Sequence, residues 1–201
     1  VALPVSQQGG YRDVAVKVVV AGQVASGYRL TDISVFPPVV TVFAGDPQLV
    51  NSLPGVLETL VLDLQNAEED INSRVGLNLP EGVSVVGEQT VLIQAGVSPI
   101  ESSVTLAGEK VEIIGLGSDL VAQVSPITVD VILSGPLPLL DTLVRQDVRV
   151  TVDLTGLKVG THQIIPKVEV LIADVFVESI LPNTIEVVIA PIGTVTVTPT
   201  P

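Results

Sequence analysis

Two stretches of this chain spell nearly the same pattern about 90 residues apart, so whatever it folds into must be built twice. Leu62-Asp63-Leu64 closes an apolar run in the first half, and Val152-Asp153-Leu154 closes one in the second. Upstream of each lies a proline, a strand-like run and a Gly/Pro turn: Pro38 to Pro47, then Pro126 to Pro136. Downstream, Gln89-Thr90-Val91-Leu92-Ile93 answers to Asn183-Thr184-Ile185-Glu186-Val187, and the halves end on Pro99-Ile100 and Pro191-Ile192. Such a period is too long for a solenoid repeat and suits one small domain. The expected organisation is a leader over 1–10, one module over 11–100, a second over 101–193, and a Thr/Pro-rich tail or linker over 194–201.

Each module is expected to be β-rich. The apolar share of 47% is almost all Val, Ile, Leu and Ala, with only two Tyr and three Phe. β-Branched side chains fit a pleated, half-buried surface. The apolar residues fall in runs of four to eight broken by Gly, Pro, Asp and Asn, which is how sandwich or barrel strands read. No run approaches the roughly 18 apolar residues of a spanning helix, so this stretch is not expected to insert in a membrane. The fold class expected is all-β, with one short helix per module. Asp46 as N-cap and Pro47 at the first helical position start one near 46–53, with Leu49, Val50 and Leu53 on one face. Leu137 to Leu143 is its counterpart, expected to be weakened by Pro138. Val14 to Val20 reads as a mostly buried strand with Lys17 snorkelling or at the edge, or as a Val-rich edge strand open to pairing, and the boundary between modules falls near Ile100-Glu101-Ser102-Ser103.

Charge narrows the partners. Net charge is −13. Residues 1–100 carry ten acids against four bases and residues 101–201 twelve against five. An acidic surface of this kind repels nucleic acid, which is not an expected partner. With no cysteine, disulfides, thiolate metal sites and a Cys nucleophile are excluded. The chain has no methionine and starts at Val1, so a signal, an anchor or other sequence is expected upstream.

The candidate reactive groups are sparse. His162 is the only histidine and has no Cys or second His to join it at a metal, so a surface or edge position is expected. Gly115-Leu116-Gly117-Ser118 lacks the Gly-Lys-Ser/Thr ending of a phosphate loop and reads as a hairpin or bulge. Carboxylate pairs for glycoside hydrolysis would normally come with aromatic platforms, and Trp is absent. No catalytic residue, cofactor or metal site is therefore expected, and the chain is read as a non-enzyme. Glu68-Glu69-Asp70 is the densest acidic run. Three consecutive acids do not converge on one calcium ion. Their loop is one of two where the copies differ most, with 171–174, so Glu68, Glu69 and Asp70 are the expected partner contact. A basic partner would ease their repulsion.

The succession Gly27-Tyr28-Arg29-Leu30, Val35-Phe36-Pro37-Pro38-Val39-Val40-Thr41-Val42, Gly45-Asp46-Pro47, Val61-Leu62-Asp63-Leu64 and Leu79-Pro80-Glu81-Gly82-Val83 resembles a YbbR-like domain. The second module resembles it through Val124-Ser125-Pro126, Ser134-Gly135-Pro136 and Val150 to His162. In the bottom-up reading, Pro38 and Pro126 open strands at a corner, and Gly45 and Gly135 take a positive φ at the exit. Two loops depart from the family pattern: Asn66 to Asp70, where a glycine is usual, and Leu171-Ile172-Ala173-Asp174, where the Leu-Pro-Glu-Gly turn is missing. The resemblance spans about residues 11–192. It implies tandem extracytoplasmic β-modules, tethered at the cell surface by one N-terminal transmembrane helix. It further implies a protein partner, which for members of the CdaR type is a membrane diadenylate cyclase that they regulate. The alternative is a structural surface or filament module, its partners other copies of itself, assembling through edge strands or the extended ends at 1–10 and 194–201.

Overall fold

The computed structural model describes residues 9–193, and the chain divides into two compact units between Pro99 and Ile100. The expected tail at 194–201 and all but the last two residues of the expected leader lie outside the described residues.

The first module runs β1 (Gly10–Ala21), β2 (Tyr28–Phe36), β3 (Val39–Ala44), α1 (Pro47–Ser52), β4 (Val56–Asp63), β5 (Ile71–Gly76), β6 (Val83–Val85) and β7 (Thr90–Pro99). They form two sheets, β4-β1-β3-β6 and β2-β7-β5. Only the β1–β4 contact is parallel. The second module runs β8 (Glu101–Ile114), β9 (Leu120–Ser125), β10 (Thr128–Pro136), α2 (Leu137–Thr142), a 3-10 turn at Arg145–Asp147, β11 (Val148–Asp153), β12 (Gly160–Ile164), β13 (Lys167–Val170), β14 (Phe176–Leu181) and β15 (Ile185–Pro191). Its sheets are β13-β11-β8-β10-β14 and β12-β15-β9. Strand for strand this is the first module again, with β8–β11 as the parallel pair. The added β13 lies where the first module has the single bridge Thr59–Leu77.

Alternation makes the cores. Val40, Val42 and Ala44 of β3 turn inward against Val91, Ile93 and Ala95 of β7. Val129, Val131 and Leu133 of β10 meet Ile185, Val187 and Ile189 of β15 in the same way. A strand that presents every second residue to the core needs Val, Ile or Leu at period two, and these strands supply it. The burial register aligns Pro37, rather than Pro38, with Pro126, and both prolines follow a cis peptide bond. The first helix forms as its signals dictate: Asp46 Oδ1 accepts from Gln48 N at 2.9 Å, with Pro47 in the first turn. Being less than two turns long, it buries only Val50 fully and leaves Leu49 41% exposed. Arg12 holds its far end, donating to Leu53 O at 2.7 Å and Val50 O at 3.2 Å. α2 buries Leu140 with Pro138 in its first turn, where the missing N–H costs nothing.

Several expectations give way. Val14 to Val20 is no edge: β1 is flanked by β3 and β4. Gly10 already belongs to β1 rather than to a leader. Glu101, Ser102 and Ser103 are strand rather than linker, paired with Pro136, Gly135 and Ser134. Ladder bonds to β10 hold these polar residues where propensity alone would not. The run from Thr161 to Val170, which reads as one strand, is two, in different sheets, broken at Ile165-Pro166. Gly115 to Ser118 is not a hairpin, because β8 and β9 lie in different sheets. Neither Gly45 nor Gly135 has a positive φ. Gly135 is needed for space instead: a Cβ there would sit 2.7 Å from Asp174 O.

Candidate functional site

The acidic loop joins β4 to β5 and is pinned to the β1–β2 loop by backbone bonds. Asn66 N donates to Gln23 O at 2.9 Å and Ala25 N donates to Ala67 O at 3.0 Å. Asn66 sits at φ 56°, and Gly156 holds the corresponding place in the second module at φ 74°. Asn tolerates this left-handed conformation better than most residues, so the backbone turns alike although the loop lacks glycine. The other departure resolves the same way: Asp174 stands at φ 63° where the first module has Gly82 at φ 81°.

The three acids of the loop do different things. Asp70 Oδ1 accepts from Val97 N at 2.8 Å, satisfying a β7 amide beside the register shift between β2 and β7. Glu68 and Glu69 are exposed on a shallow depression shared with Asp63 and Gln65. The structure therefore gives Asp70 an architectural bond and leaves two glutamates facing solvent. Among the described residues no three His, Cys, Asp or Glu side chains are grouped to hold a metal ion. His162 lies on β12, an edge strand, half-buried, and its ring donates from Nε2 to Lys158 O at 2.7 Å. Gly115 takes φ 73° against the turn that follows Asp153.

Charge is organised most densely on the second module. Arg149 and Glu169 are register partners across β11 and β13. Arg149 Nε donates to Glu112 at 2.7 Å, and Lys167 Nζ to Glu169 at 2.9 Å. The hydrogen bond and charge of Glu112 raise the Arg149 pKa, those of Lys167 lower the Glu169 carboxyl, and Glu169 in turn raises Lys167. All four groups are satisfied within the ladder. The first module has a simpler pair across its own parallel strands, Lys17–Glu58, 2.9 Å apart on β1 and β4. On the first module's other sheet, Phe36, 72% exposed, borders a groove of about 420 Å3 with Val39, Val86, Leu92 and the Arg74–Glu88 pair.

Comparison with known proteins returns structures rather than sequences. The chain is similar to the YbbR-like domain of the lmo2119 protein from Listeria monocytogenes at 25% identity and a TM-score of 0.41, over 49% of this chain and 99% of that one. It is similar to the SuR18C protein from Streptococcus thermophilus at 22% identity and a TM-score of 0.39, over 48% of this chain and 92% of that one. A YbbR-like protein from Streptococcus pneumoniae matches at 14% identity and a TM-score of 0.32, over 95% of this chain and 100% of that one. No protein-family model and no curated protein matches the sequence.

Sequence reasoning missed the positions that matter most to this architecture. The twin Asp63 and Asp153 were visible as a repeated motif, but their turn-capping bonds were not. Arg12 carried no signal at all, since its partners are carbonyls about 40 residues away.

Proposed function

We propose that this chain is a non-catalytic interaction and regulatory module that works outside the cytoplasm through protein contacts. In this reading it resembles the tandem YbbR region of membrane-anchored regulators of a diadenylate cyclase. The observation that carries the reading is what the repeated signature residues do. Asp63 and Asp153 cap turns, and Gly22 and Gly115 take the left-handed backbone opposite them. Residues kept in both copies serve the frame, which is what a scaffold presenting variable surfaces requires. The lone histidine is bonded to a backbone carbonyl. Among the described residues no helix is long and apolar enough to cross a membrane, so a tether would come from sequence outside them. The test is to reconstitute the full-length gene product with the neighbouring membrane cyclase and measure cyclic dinucleotide synthesis with and without residues 9–193. A change in rate with complex formation supports the proposal; an unchanged rate and no complex ends it.

One observation favours the assembling reading. β2 is a free sheet edge of nine residues, none of them buried, and it exposes Leu30, Ile33 and Phe36. Such an edge pairs readily with another chain unless it is blunted. Light scattering across a hundredfold concentration range separates the two readings: growing mass supports assembly, and a constant monomer mass rejects it.

A further inference from the structure

We draw no further inference here: the strongest candidate, the outer face of the β2-β7-β5 sheet, where the groove beside Phe36 and Leu92 adjoins the Ser34–Gln94–Asn72 row, carries nothing because nothing in the structure shows what covers it.

Discussion

Asp63 and Asp153 close equivalent strands of the two modules with the same bond: each Oδ1 accepts the backbone N–H two residues ahead at 2.9 Å. Each lies at the end of the parallel strand pair, where Leu64 N donates to Ala21 O and Leu154 N to Ile114 O, both at 2.8 Å. Opposite each sits a glycine in the left-handed region, Gly22 at φ 81° and Gly115 at φ 73°. This Asp–Gly pairing is the physical content of the repeated motif.

Gly22→Ala should therefore be among the more damaging single changes. A Cβ at Gly22 would lie 2.7 Å from Gln65 N and 2.8 Å from Asp63 Oδ1. The left-handed backbone alone costs about 1–2 kcal/mol for an L-residue, and the crowding adds to it. Gly156→Ala is the control, since its φ is also positive but nothing lies within 4 Å. Urea denaturation should show the first variant losing distinctly more stability than the second; equal losses would refute the role given to the Asp–Gly contact.

Asp153 also sets a pH dependence. Its carboxyl is held below its ordinary value of 3.8, first by the Thr155 hydroxyl and then by the Thr155 N–H. A depressed carboxylate stabilises the fold above its unfolded pKa, and that contribution disappears as pH falls through the folded value. Asp153→Asn should lower the melting temperature at pH 7, where the contribution is fully present, and change little well below the folded value, so the acid limb below about pH 4 flattens. An unaltered acid limb would show that this carboxylate is not linked to folding.

Thr59 tests the β4 bulge. It is 3% exposed, and its Oγ1 accepts from Val19 N at 3.0 Å where the β1–β4 register shifts. Thr59→Val keeps the shape and strands that amide, which should cost about 1–3 kcal/mol. Thr59→Ser should retain most of the stability. Chemical denaturation of both variants decides it, and equal stabilities would remove the hydroxyl from the account.

Glu109 is 7% exposed, and its Oε1 accepts from Arg145 Nη1 at 2.8 Å. Arg145 also donates to Ala107 O at 3.0 Å. Removing the guanidinium leaves a poorly solvated carboxylate, so Arg145→Ala should cost about 1.5–3 kcal/mol. In the background of Glu109→Gln that loss should shrink. A double-mutant cycle measured by denaturation provides the check, and zero coupling would overturn it.

The acidic loop needs a divided test. Glu68→Ser with Glu69→Ser should leave stability unchanged and, where the loop contacts a basic partner, weaken binding and reduce its salt dependence. Asp70→Ser removes the acceptor of Val97 N and should destabilise by about 1 kcal/mol whether or not a partner exists. Calorimetric titration at two ionic strengths together with thermal melts separates these roles. Unchanged affinity in the double variant leaves those acids as solvated loop residues.

The sequence by itself determined that the chain is all-β, that it says one module twice, and where its first helix begins. Those features are local: period-two burial, turn residues and an Asp-Pro start act over a few positions. The order of signatures also pointed to the YbbR-like resemblance. Only the tertiary structure decided which strands are edges, that β8 begins at Glu101, and that Ile165-Pro166 parts two sheets. It alone separated Asp70, fixed to Val97, from Glu68 and Glu69. Sheet order and side-chain partners depend on residues dozens of positions apart, and backbone hydrogen bonds across a sheet are formed whatever the side chains, so they leave little trace in the sequence.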